Sequence, residues 1–530
     1  MNHSETTIQN YDELPYEGHA FAQTHPGLMA TVARIFGLEA PPVEQARILE
    51  LGCGRGENLI AMAYELPDAH LVGTDLSPRQ IAMGTDMIRQ LGLNNIQLLV
   101  RDIMASAPRE TQFDYIICHG VYSWVPPQVQ DKILETCRNL LSPHGVAVIS
   151  YNVYPGWHQR GALREMLLYH VGPHGTPQER VAKARAFLEF LAHANLVPNT
   201  PYAQVLTENA QWLKKEGDSY IFHEFLEEIN QPFYFHEFAQ RVAQTQLAYL
   251  GDSIFNSSLP QQLPDPVSAA LQPFTSDVVA WEQHLDFLRN RMFRSSLLVH
   301  AGRQIKREPQ LDALLKMHVA VSVRPVSPQP EVLSEAAESF EKGNGFRVST
   351  NVPVMKYALC HLSSIYPSGM LFEELWEQIR QKIGSQLSGQ HRVFLEDWRN
   401  LAQFFIQAIW SELIEIRSYQ PRLCDRITAY PQVSALARCQ AEHSLVVTNL
   451  LHRSVGVDAQ MKLLFLSIDG QRDRDSLIAL LRQAIADGKV TVEKPAPAQD
   501  APTDSPPEDL VPAIVDNVLE IMRRSALLIA

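Results

Sequence analysis

Several features are missing from this 530-residue chain, and each absence excludes a class of protein. The six cysteines include no C-x-x-C pair, so the sequence offers neither a zinc ligand set nor a disulfide framework. No apolar run approaches the roughly 20 residues of a membrane-spanning helix. The polar N-terminus lacks the basic and apolar regions of a secretory signal. The sequence therefore predicts a cytoplasmic protein without membrane insertion.

The chain also lacks a positive net charge. Lys and Arg number 45 against 59 Asp and Glu, a formal balance of −14. This sign disfavours nucleic acid as the main partner, because a phosphate backbone attracts basic surfaces. The length exceeds the roughly 250–300 residues at which one hydrophobic core stops growing, so several domains are expected.

The N-terminal part alternates between strand and helix patterns. Helical spacing of apolar residues occupies 57–66, 77–91 and 127–141. The strand-like apolar runs lie at 46–54, 70–76, 96–102, 113–120 and 145–152. This rhythm predicts an α/β fold with a doubly wound, mostly parallel sheet, in which ligands bind outside the carboxyl ends of the strands.

A glycine-rich turn, "LELGCGRGEN", follows the first predicted strand and contains Gly52, Gly54 and Gly56. Glycines let a ligand approach the backbone closely, and the next helix offers its N-terminal amides. The dinucleotide fingerprint places its last two glycines three positions apart, whereas here they are two apart. A pyrophosphate is therefore not the predicted ligand, and a nicotinamide dehydrogenase is a distant alternative.

Acidic residues lie at the ends of three predicted strands. Asp75 could accept both hydroxyls of a ribose, and Asp102 could face the exocyclic amine of an adenine. Glu50 could anchor the glycine turn or reach an ammonium group. Each feature also occurs as plain structure, but their order on one sheet favours a nucleoside site.

The strings "ELGCGRG", "GTDLS", "RD" and "FDYIICHGVYSWV" resemble the successive motifs of class I S-adenosylmethionine-dependent methyltransferases. "NYDELPY", "HGVYSWVPP" and "SYNVYPGWH" are similar to a narrower group, the bacterial methyltransferases with an appended regulatory domain. The best-known members of that group are the rickettsial protein lysine methyltransferases that act on outer-membrane proteins.

The resemblance implies a seven-stranded, mostly parallel sheet. We expect the sixth strand within 233–255 and the seventh at 293–301, which closes the methyltransferase domain near 305. Two insertions, at 160–230 and 256–292, are expected on the substrate face, and the regulatory-domain resemblance covers about 215–300.

The resemblance also implies S-adenosylmethionine as cofactor and methyl transfer to lysine side chains of a protein. An outer-membrane or surface protein precursor is the expected type of partner, and a homodimer is compatible with the resemblance. Two alternatives stay open: a small-molecule methyltransferase of the same fold, and a non-catalytic cofactor-binding protein used in assembly.

Candidate site residues follow from these motifs. The cofactor candidates are Glu50, Gly52, Cys53, Gly54, Gly56, Asn58, Asp75, Leu76, Asp102, Ile103, His119, Tyr11 and Tyr16. The catalytic candidates are Tyr122, His119 and Trp124, and the substrate candidates are Asn152, Tyr154 and Trp157. Aromatic faces attract a sulfonium charge and can guide an aliphatic amine. Tyr122 and Trp124 fit core packing equally well, and His119 also fits a structural hydrogen bond.

The stretch "HEFLEEINQPFYFHEF" raises the question of a metal site, since it offers His223, Glu224, Glu227, Glu228, His236 and Glu237. The spacing is not H-E-x-x-H, because position 227 is a glutamate, and "NQP" interrupts any single helix. We therefore predict no metal ligand here.

Beyond 305 the character of the chain changes. Residues 306–344, with "VRPVSPQPEV", resemble a linker, and three helical patterns at 345–430 predict a winged-helix-like module. We expect a further C-terminal module at 431–493, a disordered spacer at 494–510 and a helix at 511–530. The C-terminal region is thus expected to be mainly α-helical.

Overall fold

A computed structural model describes residues 11–16, 18–105, 112–194, 197–254, 263–343, 345–409, 413–491 and 510–529. The chain divides into two compact units, which we describe separately. The first comprises residues 1–19, 38–63 and 67–308, and the second comprises 20–37, 64–66 and 309–530. Within the described ranges, no helix is both long enough and apolar enough to cross a membrane.

The helices and strands are numbered in chain order. The helices are α1 (Pro26–Ile35), α2 (Glu57–Glu65), α3 (Pro78–Leu91), α4 (Pro127–Leu140), α5 (Trp157–Val171), α6 (Pro177–Ala194), α7 (Pro201–Leu213), α8 (Asp218–Phe225), α9 (Phe235–Gln244), α10 (Asp265–Leu271), α11 (Val278–Arg289), α12 (Pro353–Ile365), α13 (Phe372–Ile383), α14 (Gly389–Phe394), α15 (Arg399–Ala408), α16 (Ala435–His443), α17 (Lys462–Ser467), α18 (Arg474–Ala486) and α19 (Val511–Arg524). The strands are β1 (Arg47–Leu51), β2 (His70–Asp75), β3 (Ile96–Val100), β4 (Phe113–Cys118), β5 (Leu141–Asn152), β6 (Leu247–Asp252), β7 (Phe293–His300), β8 (His318–Val321), β9 (Arg324–Pro325), β10 (Glu338–Glu341), β11 (Arg347–Thr350), β12 (Met370–Leu371), β13 (Ile414–Arg417), β14 (Val446–Thr448) and β15 (Ser454–Gly456).

The first unit is built on a seven-stranded sheet in the order β3-β2-β1-β4-β5-β7-β6. Strands β1 to β5 are parallel, and β7 runs antiparallel between β5 and β6. This arrangement confirms the predicted seven-stranded, mostly parallel sheet. The carboxyl ends of β1, β2 and β4 therefore meet at one edge, where the predicted cofactor residues begin.

The alternation of side chains along the strands determines which of them belong to the core. Ile116 and Cys118 of β4, with Ile149 and Tyr151 of β5, belong to one buried apolar cluster with side chains of α4 and α9. Because side chains alternate along a strand, the residues between them point to the opposite face. Asn152 lies on that opposite face at the end of β5.

Four helices, α5 to α8, fill most of the range predicted as a helical insertion at 160–230. Their buried apolar side chains, among them Leu167, Val181, Leu213 and Phe222, form a cluster of their own. The second predicted insertion contains α10 and α11 in its described part.

The second unit includes a segment that the sequence analysis placed in the methyltransferase domain. Helix α1 contacts the segment after β13: Ser418 N–H donates to Thr31 Oγ1 at 2.9 Å, and Ser418 Oγ donates to the Gly27 carbonyl at 2.8 Å. Residues 20–37 accordingly cluster with the C-terminal half, although 1–305 was predicted as one domain.

The predicted linker 306–344 is largely structured. Strand β8 is the central strand of a three-stranded sheet, between β12 and β13, and its Val319 and Val321 are completely buried. Helices α12, α13 and α15 lie within the range 345–430, and helix α19 occupies most of 511–530. The predicted spacer 494–510 lies outside the described residues, except for Leu510.

Candidate functional site

The glycine turn between β1 and α2 has the backbone geometry that its residues permit. Gly52, Gly54 and Gly56 have φ values of +71°, +57° and +78°, a left-handed region that other residues adopt at a cost. A Cβ added at Gly52 would lie 2.5 Å from Cγ2 of Val121, so the turn contacts the segment that follows β4. The close approach leaves no room for a larger residue at this position.

Asp75 joins the end of β2 to this turn. Its Oδ2 accepts a hydrogen bond from Gly54 N–H at 2.8 Å, and its Oδ1 accepts one from Ser77 N–H at 2.9 Å. Burial raises the pKa of Asp75, and the backbone donors act in the opposite direction. The Leu76 amide is a third backbone donor, and a carboxylate has about four acceptor sites, so acceptor capacity remains for a ribose hydroxyl.

Glu50 is a buried carboxylate at the end of β1. Its Oε1 accepts a hydrogen bond from Asn58 Nδ2 at 2.8 Å, whereas Oε2 is buried without a hydrogen-bond partner in the described part of the chain. Burial raises the pKa of Glu50 to about 8. The neighbouring Cys53 is also buried, and burial raises the pKa of its thiol.

The end of β3 presents an open, partly apolar surface. Asp102 is exposed, and its Oδ1 accepts a hydrogen bond from Met104 N–H at 2.8 Å. Ile103 and Leu76 are half-buried, while Val100 and Met104 are 53% and 45% exposed. Apolar side chains around a carboxylate at the end of a strand are suited to packing against an adenine ring.

These residues fit S-adenosylmethionine. The glycine turn leaves backbone accessible, since an added Cβ at Gly54 would meet only Gln80 Oε1, at 3.1 Å. The unpartnered Oε2 of Glu50 suits an ammonium group, and Asp75 suits a ribose.

The described N-terminal segment, residues 11–16, contacts the same edge of the sheet. Asp12 accepts a hydrogen bond from Ser77 Oγ, and Ser77 N–H binds Asp75. Tyr11 lies close enough to Asp75 and Glu227 for their charges to act with burial in raising the pKa of its phenol. Tyr16 packs edge-on against His223, with ring centroids 5.8 Å apart. The structure thus brings Tyr11 to the cofactor residues, and the roles of Tyr11 and Tyr16 in binding stay predictions.

The three catalytic candidates after β4 have different surroundings. His119 is half-buried against Phe293, with ring centroids 5.9 Å apart, and burial lowers its pKa to about 4. Trp124 is half-buried and meets Trp157 nearly at right angles, with centroids 6.2 Å apart. His119 is therefore uncharged at neutral pH, which suits a site beside a sulfonium.

Tyr122 lies in the core rather than on a ligand-facing surface. It is completely buried, it packs against Tyr151, Phe233 and Phe238, and its hydroxyl has no hydrogen-bond partner among the described residues. This placement favours the packing interpretation that the sequence left open, and the catalytic role of Tyr122 stays a prediction.

The three substrate candidates do not form one group. Asn152 and Trp157 are each 3% exposed, and Asn152 Nδ2 has no hydrogen-bond partner in the described chain. Tyr154 instead stacks on His158, with centroids 4.1 Å apart, and leans on Tyr234. Trp157 faces Trp124, whereas Tyr154 belongs to a separate surface cluster.

Several polar residues of the insertion were not predicted as site residues. His223 binds the Leu14 carbonyl and Glu227, and Glu224 is a half-buried carboxylate whose pKa burial raises to about 7. Arg164 reaches the Trp124 ring at 5.9 Å. The structure identifies them as candidate site residues because α5 and α8 bring them next to Trp124 and the N-terminal segment. The histidine and glutamates of "HEFLEE" are a possible signal, since the sequence groups them in one short stretch.

The groups first considered for metal binding make ordinary contacts. His236 Nδ1 lies 2.9 Å from Gln283 Oε1, and Glu237 accepts a hydrogen bond from Tyr234 N–H at 2.9 Å. In the second unit, ligand atoms of His25, Glu65 and His452 lie within 4.8 Å of one another. However, His25 Nδ1 accepts a hydrogen bond from the Gly27 amide, which leaves the hydrogen on Nε2. Metal-binding imidazoles usually donate through the other nitrogen, so we assign no metal there.

Three family models match the chain. They describe a methyltransferase domain at residues 48–145, a predicted methyltransferase regulatory domain at 217–300, and a PKMT C-terminal winged helix domain at 429–527. The winged-helix match therefore lies after the range 345–430 in which the sequence analysis placed such a module. It spans α16 to α19 and the β14–β15 hairpin.

Relatives cover almost the whole chain. Uncharacterized protein RP789 of Rickettsia prowazekii is 36% identical over 491 residues, which are 91% of this chain and 87% of that protein. The structure of PKMT2 from Rickettsia typhi in complex with AdoHcy is similar with a TM-score of 0.83 and 32% identity, covering 97% of this chain and all of that one. A second R. prowazekii protein, RP028, is 41% identical over 42% of this chain and 90% of its own length.

The chain belongs to the class I S-adenosylmethionine-dependent methyltransferases with an appended regulatory domain, the group that includes the rickettsial PKMT proteins. Its cofactor is accordingly S-adenosylmethionine. This methyltransferase carries its matched methyltransferase domain on β1 to β4 and the first part of β5, where the glycine turn and Asp75 lie. The regulatory-domain match begins at α8 and ends with β7, so it supplies the last two strands of the sheet.

Proposed function

We propose that this methyltransferase transfers the methyl group of S-adenosylmethionine to lysine side chains of a protein. The proposal is supported by the similarity over 97% of the chain to PKMT2 and by the motifs that resemble the rickettsial protein lysine methyltransferases. The structural observation that carries it is the pair of indoles, Trp124 and Trp157, in the segments that follow β4 and β5. Uncharged His119 precedes Trp124 in the first of these segments. Aromatic walls suit both a sulfonium and the aliphatic stem of a lysine.

The cofactor would be held by the edge residues already described. In this assignment the glycine turn, Asn58 and Glu50 face its amino-acid end, Asp75 binds the ribose, and Asp102 with Leu76 and Ile103 borders the adenine. Tyr11 and Tyr16 would close the site from the N-terminal segment. The bound cofactor supplies a methyl group on a positively charged sulfur, which is already activated for displacement.

The protein's contribution is mainly alignment and the exclusion of water. In-line displacement needs the nucleophile, methyl group and leaving sulfur on one line, so positioning provides most of the rate gain. A lysine must also lose a proton, which from a pKa near 10.4 to pH 7 costs about 4.6 kcal/mol. A water-poor site next to a positive sulfur reduces that cost. The depressed pKa of His119 keeps a second positive charge away from the amine.

A polar groove next to Tyr154 is the candidate path for the peptide chain on either side of the lysine. Its volume is about 510 Å³, and its lining includes Gln231, Pro232 and Phe233. Glu237 and Arg241 of α9 also line it. Both charge signs in one groove suit a polypeptide better than a small apolar substrate.

The test is to incubate the full chain with methyl-labelled S-adenosylmethionine and bacterial cell extract, and to separate acid-precipitable from soluble label. We expect the label to precipitate with protein and mass spectrometry to locate it on lysine. Label found only in small molecules would overturn the protein substrate, and label on other residues would overturn the lysine assignment. The Asp75→Ala variant serves as the control that lacks the ribose ligand.

A further inference from the structure

The described N-terminal segment is fastened at one end to the turn that carries Asp75. Asp12 accepts a hydrogen bond from Ser77 Oγ through its carboxylate and one from Arg79 through its carbonyl. Ser77 also donates its N–H to Asp75 Oδ1 at 2.9 Å. A displacement of residues 11–16 would therefore shift Ser77 and, through it, the Asp75 carboxylate at the predicted ribose site.

The other end of the segment is fastened to helix α8. His223 Nε2 lies 2.7 Å from the Leu14 carbonyl oxygen, and Ser219 Oγ donates to the Pro15 carbonyl at 2.8 Å. The His223 ring also stacks on Tyr11, with centroids 4.3 Å apart and planes inclined by 23°. His223 is only 3% exposed, so these contacts are shielded from water.

Both ring nitrogens of His223 have a partner. A carbonyl oxygen can only accept a hydrogen bond, so Nε2 donates to Leu14. Nδ1 lies 2.9 Å from Glu227 Oε1. Glu227 therefore helps to fix the orientation in which the ring reaches Leu14.

Other charged and titratable groups surround this pair. Tyr11 and Tyr16 face the ring from the N-terminal segment, and Glu224 lies within its electrostatic reach on α8. Arg164 of α5 donates to the Glu227 carbonyl. Arg180 of α6 donates to the Leu226 carbonyl at 2.8 Å, so both arginines hold the end of α8 in place.

We propose that His223, held in place by Glu227, is a positioning residue that fastens residues 11–16 over the nucleoside end of the cofactor site. The inference rests on the cofactor site assigned under the proposed function. The ring supplies both the hydrogen bond to Leu14 and the stacking contact with Tyr11, so its removal loosens this segment at two points.

The test compares the affinities of the full chain and of its His223→Ala and His223→Gln variants for AdoHcy by calorimetry. Alanine removes the bonds to Leu14 and Glu227 and the ring contact with Tyr11, whereas glutamine can still donate to Leu14. Loss of a buried hydrogen bond predicts about a tenfold weaker affinity for His223→Ala. We expect His223→Gln to recover part of this loss.

Two further variants complete the test. Glu227→Gln alters the partner that orients the His223 ring and should also weaken binding, which keeps the proposal testable if the His223 variants fail to fold. His236→Gln alters a histidine bound to Gln283 and should leave the affinity within about twofold.

The outcomes separate the two proposals. If the wild-type protein binds no AdoHcy, the cofactor site of the proposed function is wrong. If it binds AdoHcy and both His223→Ala and Glu227→Gln bind it as tightly as wild type, the cofactor site stands and the fastening role of His223 is refuted.

Discussion

Gly54 N–H donates to Asp75 Oδ2 at 2.8 Å, so one side chain holds the glycine turn after β1 against the end of β2. The same carboxylate receives Ser77 N–H at the start of α3. The residue assigned to the ribose is therefore also the residue that shapes the turn. A substitution at this position removes a ligand contact and two backbone contacts together.

We expect Asp75→Ala to weaken AdoHcy binding by at least about a hundredfold, because charge-assisted hydrogen bonds contribute roughly 1.5–3 kcal/mol each. Calorimetric titration of the full chain measures this loss. Asp86→Asn, which removes an exposed carboxylate paired with Arg89 on α3, is the matched control and should bind normally. Near-normal binding by Asp75→Ala would show that the nucleoside lies elsewhere.

Tyr122→Phe should leave both cofactor affinity and turnover close to wild type. The hydroxyl that this change removes is buried and lacks a hydrogen-bond partner in the described chain, so its loss is expected to be neutral or slightly stabilising. Tyr122→Ala should instead unfold at a clearly lower temperature, because it empties space next to Phe238 and Phe233. A much slower Phe variant with normal affinity would restore the catalytic role inferred from the sequence.

Trp124→Ala should raise the KM for the protein substrate while leaving the affinity for AdoHcy unchanged. Trp124 contacts Trp157 and the Arg164 guanidinium, and no described contact joins it to the glycine turn. Steady-state kinetics with the methylated protein from the labelling experiment provides the measurement. Trp124→Phe keeps an aromatic face and should recover most of the loss, which a role confined to folding of the loop would not require.

Local patterns were enough to predict the sheet and its cofactor edge. The glycine turn, Asp75 and Asp102 each follow an apolar strand, so their positions at one edge follow from the parallel order of the strands. Tyr122 could not be placed this way. It lies on a short helical turn after β4, and its ring is buried because Phe238 of α9 packs against it.

The other differences also arise from contacts between residues distant in sequence. "VRPVSPQPEV" contains prolines typical of a linker, yet the preceding β8 becomes the centre of a sheet by pairing with β13, almost a hundred residues later. The role proposed for His223 likewise depends on its contact with Leu14, which is 209 positions away in the sequence. Periodicity within a window cannot report such pairings.

Binding of the cofactor should release a proton from Glu50. Burial raises its pKa to about 8, so the carboxyl is mostly protonated at pH 7 in the free protein. A positively charged ligand next to Oε2 would favour the carboxylate, and binding of S-adenosylmethionine should then release a proton. Calorimetry in two buffers of different ionisation enthalpy measures this release, which Glu50→Gln should abolish.

The same residue makes a prediction for stability. Its pKa is higher in the folded protein than the ordinary value of 4.5, so the folded state binds more protons between these two values. Its contribution to stability is therefore lost as the pH rises from about 4.5 to about 8. The unfolding temperature of Glu50→Gln, relative to that of wild type, should therefore rise steadily over that pH range. A constant difference would mean that Glu50 is already ionised in the free protein.

Arg294 should be essential for folding of the first unit. Its guanidinium is completely buried, binds both oxygens of Asp286 at 2.7 Å and reaches Glu282 Oε2 at 2.9 Å. Arg294→Met leaves Glu282 and Asp286 buried without their nearest cation, although Arg291 lies 3.9 Å from Asp286. Breaking comparable buried pairs costs about 3–5 kcal/mol. Thermal unfolding should show an early transition, whereas Arg347→Met, which breaks an exposed pair with Glu341, should show no shift. Equal unfolding of the two variants would mean that the buried carboxylates become protonated at little cost when Arg294 is removed.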